Sequence, residues 1–314
     1  MCIRDSYLGM LGEGKLASGL QLNKKLAEDA LNSVGSKINL SAFDTAKGIL
    51  KISSANMADA IREITIEQGI DPRELKLLAF GGAGPLMSNL IAEELEIKEI
   101  IIPPYSGNFS AWGLLGADLL QMNAKTKILR LSDDALTECN TILENLFKEL
   151  EERQKIDFTA NEKIKEVALD MRWMGQEHTI TLKIDDHSDG KINLDSETLK
   201  QNFMKEYEKT FGSKLDTVVE VVSTRASIRV NLPRKSESGK IEEDNIEISS
   251  STISCFSFNA DKNLEFKIIP RNEIKSGMSG PMIILESTAV TYVDENYNIN
   301  TDGLGNLILN NKEN

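Results

Sequence analysis

Cysteine and histidine are both scarce in this sequence, which has three cysteines and two histidines in 314 residues. Cys2, Cys139 and Cys255 are far apart, and so sparse and odd a set argues against a disulfide framework and against a metal-binding cysteine motif. His178 and His187 have no matched carboxylate spacing, so the sequence predicts no metal site and a structural or solvent-exposed role for each histidine.

Membrane and targeting signals are also missing. No apolar stretch approaches the length of a membrane span, and the N-terminus lacks the basic and then apolar pattern of a signal peptide. The net charge is −13 and the isoelectric point is near 4.9, which argues against nucleic acid or an anionic membrane as the main partner. We therefore expect a cytoplasmic protein that binds neither nucleic acid nor a membrane.

The first residues carry no recognisable pattern. Residues 1–6 show neither helical nor strand periodicity, whereas Tyr7-Leu8-Gly9 is typical of the middle of a domain. We expect residues 1–6 to be an artefact joined to a truncated gene, with a short disordered native tail as the alternative. Residues 7–22 are rich in glycine and predict a loop, with no phosphate-loop pattern in it.

Helical periodicity follows. A short helix is predicted over residues 23–36, with Leu26, Ala30 and Leu31 on one face. Ser41 is then the expected N-cap of a long helix that ends near Gly69. Its apolar positions recur at three- and four-residue steps, as in an amphipathic helix, and form a stripe that needs burial: Ile49, Ile52, Met57, Ala60, Ile61 and Ile64.

Strands and helices alternate in the next part of the chain. Apolar runs predict strands at 75–80 and 97–102, each followed by a helix, at 85–95 and from 110 to about 120. This alternation is typical of α/β domains. We expect a first, α/β segment at 7–130, after the artefact at 1–6, and a helical connection at 131–160.

The remainder, 161–314, has a β-rich pattern. Strands of a hairpin are predicted at 167–173 and 179–184, a helix at 196–211 and a strand at 218–230. A polar, flexible segment is predicted at 233–251, before short strands that alternate with turns.

The glycine cluster at residues 81–85 is the strongest local signal for a ligand site. Gly81, Gly82, Ala83 and Gly84 follow a predicted strand and precede a predicted helix. Glycines allow a tight turn and let a ligand approach the backbone, and the helix N-terminus adds free amides and partial positive charge. A nucleotide suits such a place, and a plain strand-to-helix turn without a ligand is the alternative.

Collinear motifs resemble the hydantoinase A/5-oxoprolinase family, which includes N-methylhydantoinase A and is related to acetone and acetophenone carboxylases. They extend from residue 7 to about 310 and are SANMADAIR at 54–62, LAFGGAGPL at 78–86, IPPYSGNFSAWGLL at 102–115, DMRWMGQEH at 170–178 and GPMIILE at 280–286. The resemblance implies that residues 7–130 are the C-terminal part of the family's ATPase domain, the second lobe of an actin/Hsp70/sugar-kinase-like ATPase fold. It implies a smaller β-rich α+β C-terminal domain at 161–314.

The resemblance also implies chemistry. Family members use ATP and Mg²⁺ to open cyclic amides such as 5-oxoproline or hydantoins, or to carboxylate ketones, and in bacteria the subunit often pairs with a hydantoinase B-type subunit. Gly81, Gly82, Ala83 and Gly84 would bind the nucleotide, and the resemblance assigns no catalytic residue to this chain.

Asp118 is expected to face solvent or a neighbouring residue rather than a cleft. Trp173 is expected to have a packing role, whereas Gln176 would shape an interface of the C-terminal domain.

Two departures from the family matter. The Asp-x-Gly-Gly-Thr phosphate motifs do not occur in this sequence, and Met87 stands where the family usually has histidine. We therefore expect an incomplete cyclic amide hydrolase subunit that does not turn over ATP alone. The alternatives are an acetone- or acetophenone-type carboxylase subunit and a non-catalytic module that docks a partner subunit.

Overall fold

The computed structural model describes residues 2–12, 21–153, 163–213, 215, 217–232 and 251–312. The chain forms two compact units, one from Met1–Leu115 with Ser236–Asn314 and the other from Gly116–Lys235. None of the helices in the described ranges is both long and apolar enough to cross a bilayer.

The described elements comprise helices and strands in both units. The α-helices are α1 Cys2–Tyr7, α2 Lys24–Gly35, α3 Ala42–Glu67, α4 Gly84–Leu95, α5 Phe109–Leu115, α6 Asp133–Arg153 and α7 Ser196–Phe211. The strands are β1 Leu77–Leu78, β2 Glu99–Ile102, β3 Leu119–Arg130, β4 Lys163–Trp173, β5 Ile180–Ile184, β6 His187–Ser188, β7 Lys191–Ile192, β8 Val219–Val230, β9 Thr252–Ser257, β10 Lys262–Pro270, β11 Met278–Ser279, β12 Met282–Leu285, β13 Val290–Val293, β14 Tyr297–Thr301 and β15 Leu307–Asn311.

Two sheets form the first unit. One has the order β1-β2-β15-β14-β11, with β1 parallel to β2, and β15 antiparallel to β2 through pairs such as Leu309 with Ile100. The other has the order β13-β12-β10-β9. Helix α4 is mainly apolar and is buried along most of its length, including Leu86 and Leu90. Such a helix belongs in a core, and it shares one hydrophobic cluster with residues of both sheets.

A polar network joins α4 to strands β9 and β13. The buried Asp294 carboxylate accepts hydrogen bonds from Ser257 Oγ at 2.6 Å and from Tyr292 Oη at 2.6 Å. The backbone N–H of Asp294 donates to Asn89 Oδ1 on α4 at 2.9 Å. A buried carboxylate is tolerable only with such donors. Burial and the neighbouring Asp294 raise the pKa of the Tyr292 hydroxyl well above its usual value, so Tyr292 remains a donor.

The second unit is a four-stranded antiparallel sheet, β3-β8-β4-β5, packed against α6 and α7. Val167 pairs with Ile184 and Leu169 pairs with Leu182, which confirms the predicted hairpin. Helix α7 also has its predicted bounds. Buried residues of β4 and β8 alternate with polar ones, because one face of the sheet meets the helices.

Several local predictions are confirmed and others are wrong. Ser41 caps α3, accepting a hydrogen bond from the Asp44 amide at 3.0 Å. The helix predicted to reach residue 120 ends at Leu115, because residues 119–130 extend to pair with β8. Residues 2–7 form helix α1, against the expectation of no regular structure there. Residues 13–20, 154–160 and 233–250, parts of the predicted loop, connection and polar segment, lie outside the described residues.

The compact units do not coincide with the predicted segments 7–130, 131–160 and 161–314. Residues 119–130 pair with β8 and so belong to the second unit. Strand β15 pairs with β2, so the C-terminal strands belong to the first unit. A pairing between strands about 200 residues apart leaves no local pattern in sequence. As domains of the family, the predicted segments stay predictions.

Helix α3 has two apolar faces of different kinds. Small residues and one leucine face the core at four-residue steps, at positions Ala42, Ala46, Leu50, Ser54 and Ala58. The large residues of the predicted stripe are mostly on the other side, and Ile52 and Ile64 are 64% and 61% exposed. The spacing of these residues therefore predicted the helix correctly, but the face that they form is not the one buried within this chain.

Exposure of this stripe predicts self-association and binding of a hydrophobic dye, because contiguous exposed apolar surface recruits partners. Replacing Ile52→Glu and Ile64→Glu together should lower anilinonaphthalene sulfonate fluorescence and shift light scattering towards the monomer. The control is Lys51→Glu, at an exposed site on the same helix, which changes the net charge by the same amount without removing apolar surface. A monodisperse wild-type chain without dye signal would contradict the prediction.

Candidate functional site

The predicted glycine turn is a strand-to-helix connection in the first unit. Strand β1 ends at Leu78, and α4 begins at Gly84 with Ala83 as its N-cap. The Ala79 amide still donates to Ile101 O at 2.8 Å, and the Gly81 amide then donates to Ser106 O at 2.7 Å. Residues 81–84 thus leave the edge of the sheet beside the loop that follows β2.

Gly81 and Gly82 differ in whether the backbone conformation requires glycine. Gly81 has φ +87°, a left-handed conformation that disfavours any residue with a Cβ. Gly82 does not have a positive φ, and the nearest atom to a Cβ there would be Thr288 O at 4.0 Å. No protein contact within the described residues therefore requires glycine at position 82. The open space beside it is room for a ligand against the backbone.

Gly107 fills a structural role instead. A Cβ at this position would lie 2.4 Å from Thr288 O, a distance that real side chains do not tolerate. The loop after β2 therefore packs directly on the turn between β12 and β13. This close approach holds Ser106, whose carbonyl binds the Gly81 amide.

The N-terminus of α4 points polar groups at the same turn. Ala83 offers no side-chain cap, and Pro85 occupies the first turn, where its missing N–H costs little. The remaining first-turn amides and the helix dipole favour a polar or negatively charged group. Met87 on this helix is 1% exposed and belongs to the core cluster, so it presents no polar group to the turn.

Aromatic side chains lie next to the glycines. The ring of Phe80 is 5.2 Å from that of Phe109, which stacks on Trp112 with centroids 5.7 Å apart and planes within 15°. Trp112 is 51% exposed and Phe80 is 43% exposed. Exposed, stacked aromatic rings are a platform for a planar ligand.

A buried ion pair acts as a brace for the loop after β2, which in turn binds the glycine turn at residues 81–84. Arg271 Nη1 lies 3.2 Å from Glu286 Oε2, and the two side chains are only 4% and 7% exposed. Arg271 Nη2 donates to Ile102 O at 2.7 Å and to Gly305 O at 3.0 Å. Ser106 Oγ donates to the same Glu286 oxygen at 3.1 Å. The pair therefore connects the end of β2, the loop after β2 and the turn between β14 and β15.

Burial has a direct electrostatic consequence for Arg271. Loss of solvent lowers the pKa of its guanidinium, and attraction to the Glu286 carboxylate offsets part of that effect. Glu286 belongs to the GPMIILE motif at 280–286, whereas no predicted motif contains Arg271. The available signal was a lone arginine directly after the apolar run that ends at Pro270.

Other candidate residues lie apart from this turn in the chain. Asp118 is 3.8 Å from Arg229 in the second unit, so it pairs with a neighbour, as expected. His178 is exposed, and His187 begins the short strand β6. Trp173 packs against Phe203 with ring centroids 5.2 Å apart, and Gln176 donates to Tyr207 Oη at 2.9 Å. Within the described ranges no group of histidine, cysteine or carboxylate side chains has the arrangement of a metal site.

Comparisons with known proteins add context to this geometry. Residues 5–123 match the family model described as Hydantoinase/oxoprolinase. An uncharacterised protein of Methanocaldococcus jannaschii is 35% identical over 303 residues, which are 95% of this chain and 42% of that protein. The caprolactamase subunit alpha of Pseudomonas jessenii is 28% identical over 234 residues, which are 72% of this chain and 33% of that subunit.

Solved structures share the fold. The crystal structure of ATP-dependent caprolactamase from Pseudomonas jessenii matches with a TM-score of 0.71 at 24% identity, over 98% of this chain and 46% of that one. A nucleotide-free acetone carboxylase structure matches with a TM-score of 0.75 at 18% identity, over 99% and 46%. The predicted α/β class with a β-rich C-terminal part is thereby confirmed. The chain spans less than half the length of these relatives.

The brace predicts a specific loss of stability. Glu286→Ala would leave the Arg271 charge buried without its partner, and breaking a buried pair in this way costs about 3–5 kcal/mol. Urea unfolding followed by far-ultraviolet circular dichroism measures the change. Glu265→Ala, at an exposed site on β10, is the matched control and should change stability by less than about 0.5 kcal/mol. Equal effects of the two substitutions would show that the pair is not a brace.

Proposed function

The chain belongs to the hydantoinase/oxoprolinase family, and from that membership we propose that it is the C-terminal part of an ATP-dependent cyclic amide hydrolase subunit. The observation that carries this proposal is the open glycine turn at Gly81–Gly84, at the uncapped N-terminus of α4. The ATP-dependent caprolactamase supports it as a relative in both sequence and fold.

The residues present fit one end of ATP. Space beside Gly81 and Gly82 admits a ligand to the backbone, since a Cβ at Gly81 would meet nothing within 4 Å. The stacked rings of Phe109 and Trp112, with the tilted ring of Phe80 beside them, suit the planar purine. We therefore assign the purine and ribose end of the nucleotide to this turn.

The phosphate end belongs to other residues. The Asp-x-Gly-Gly-Thr motifs do not occur in the 314 residues, so we expect the ligands of Mg²⁺ and of the phosphates in an N-terminal part of the proposed subunit. When bound, ATP supplies a phosphoryl group that activates the amide carbonyl carbon. In this proposal Gly81–Gly84 position the nucleotide, and no residue of this chain is assigned to the chemical step.

The partner and compartment follow from the same proposal. A small cyclic amide is the substrate, and a hydantoinase B-type subunit is the protein partner. The name of the caprolactamase subunit alpha supports a multi-subunit assembly. A cytoplasmic location is kept as the prediction from the sequence.

Two alternatives have their own support. An ATP-dependent carboxylase subunit is favoured by the likeness to acetone carboxylase, which is a likeness of fold. A non-catalytic docking module is favoured by the missing phosphate motifs and by Met87, which is a core residue where the family usually has histidine. Nucleotide binding at the glycine turn separates the module from both enzymes.

The substitution Gly82→Val tests the assigned site. It places a branched side chain where the nucleotide approaches, while no protein atom of the described residues obstructs it. In the full-length subunit, which contains the phosphate-binding part expected above, we expect ATP affinity to fall at least tenfold, about 1.4 kcal/mol. Isothermal titration calorimetry measures the affinity.

The matched control is Gly48→Val. Gly48 on α3 likewise has no atom within 4 Å of a Cβ and no positive φ. This variant should bind ATP as the unaltered protein does. Unchanged affinity in a folded Gly82→Val protein would remove the nucleotide from this turn.

A further inference from the structure

Strand β3 is the outer strand on one side of the four-stranded sheet in the second unit. It pairs with β8, and no strand within the described ranges pairs with its other edge. Ten of its twelve residues are exposed, and none of them is proline. Because a long edge strand presents unpaired backbone N–H and C=O groups, it is a template for pairing with another strand.

The side chains of β3 alternate between the two faces of the sheet. Asn123 Nδ2 donates to Glu149 Oε2 on α6 at 2.7 Å, and Lys127 forms an ion pair with Glu138 on the same helix. Leu129 packs against the hydrophobic cluster of this unit. The odd-numbered residues of β3 therefore face the helices, and the even-numbered residues lie on the open face.

Apolar side chains are exposed towards both ends of this open face. Leu120 and Met122 are 47% and 61% exposed near the start of β3, and Ile128 is 54% exposed near its end. The small or polar residues Ala124 and Thr126 lie between them. The order of apolar and other residues is thus nearly the same in both directions, so an antiparallel copy of β3 can match it.

An antiparallel pairing of two copies centred on Ala124 matches the apolar positions. Leu120 then lies opposite Ile128 of the second copy, and Leu119 lies opposite Leu129 of the second copy. Even-numbered residues lie opposite even-numbered ones, so both copies keep their helices on the same side of the joined sheet. Apolar side chains directly opposite each other are in contact and stabilise the pairing of the strands.

The charges of β3 are complementary in the same register. Asp118, directly before the strand, lies opposite Arg130 of the second copy, and the two-fold symmetry repeats this pair of opposite charges at the other end. The two lysines of the strand lie opposite neutral amides of the second copy, Lys125 opposite Asn123 and Lys127 opposite Gln121. No two like charges are therefore directly opposite.

The neighbouring registers lack this match. Centring the pairing on Lys125 places the two Lys125 side chains opposite each other, and like charges directly opposite destabilise a pair of strands. Centring it on Asn123 places Ile128 opposite the Asp118 carboxylate. Charge and hydrophobicity together therefore select Ala124 as the centre.

We infer that two copies of this chain pair through β3, antiparallel and about a two-fold axis at Ala124. The pairing joins the two four-stranded sheets into one sheet of eight strands, a size that natural sheets reach. Such an interface is isologous, which means that the same surface serves both copies. All the residues involved belong to the second unit, so this inference does not rest on nucleotide binding at the glycine turn.

Thiol cross-linking in the whole 314-residue chain tests this register. Cys2→Ser removes one native thiol, and the other two, Cys139 and Cys255, are buried. The chain also carries Ile52→Glu and Ile64→Glu, so that the exposed stripe of α3 does not contribute to association.

A single added cysteine then reports which residues lie opposite each other. Ala124→Cys places two thiols together on the two-fold axis, so oxidation or a short dimaleimide should convert most of the chain into a covalent dimer. Gln121→Cys is the matched control, because this exposed position of the same strand would lie opposite Lys127 of the second copy and not opposite itself. It should stay largely monomeric on a denaturing gel. Equal cross-linking of the two variants would overturn the inference.

Sedimentation equilibrium of the same chain without an added cysteine measures the dimer directly. Arg130→Glu places carboxylates opposite each other at both ends of the pairing and should weaken dimerisation at least tenfold, about 1.4 kcal/mol. Lys209→Glu makes the same change in charge at an exposed side chain of α7 and should leave dimerisation unchanged. A chain that stays monomeric at every concentration, or an Arg130→Glu variant that dimerises as the unaltered chain does, is incompatible with the inference.

Discussion

The ion pair of Arg271 with Glu286 is the interaction on which the first unit depends. It lies where the turn between β14 and β15 meets the end of β2, and Arg271 donates hydrogen bonds to the carbonyls of Ile102 and Gly305. Through Ser106 it reaches the amide of Gly81. A charged pair with almost no access to solvent depends on the attraction between its charges and on the two hydrogen bonds of Arg271 Nη2, so these segments are constrained together. The candidate site is therefore positioned by residues far from it in sequence.

Local patterns predicted much of this fold and part of the site. Ser41 as an N-cap, the hairpin of β4 and β5, the bounds of α7 and the turn at Gly81–Gly84 all follow from short-range physics, namely capping, alternation and glycine conformation. The pairing of β15 with β2 has no such signature, because the two strands are distant in sequence. Arg271 was missed for the same reason, since its burial follows from that pairing.

Helix α3 shows the limit of periodicity most clearly. The spacing of its large apolar residues predicted the helix correctly, but the face that enters the core carries mainly small residues such as Ala46 and Ala58. Small side chains allow close packing of helices, whereas Ile52 and Ile64 remain exposed. A hydrophobic pattern identifies a helix and does not by itself identify which face the rest of the chain covers.

Hydrogen–deuterium exchange with and without a non-hydrolysable ATP analogue tests the central claim most directly. The experiment uses the full-length subunit that we propose, and the backbone amides of residues 81–87 and 105–108 are followed by mass spectrometry. Our account predicts that the analogue slows exchange in both segments, because they form the glycine turn and the loop that supports it. Protection elsewhere in a protein that binds the analogue, with these segments unchanged, would contradict it.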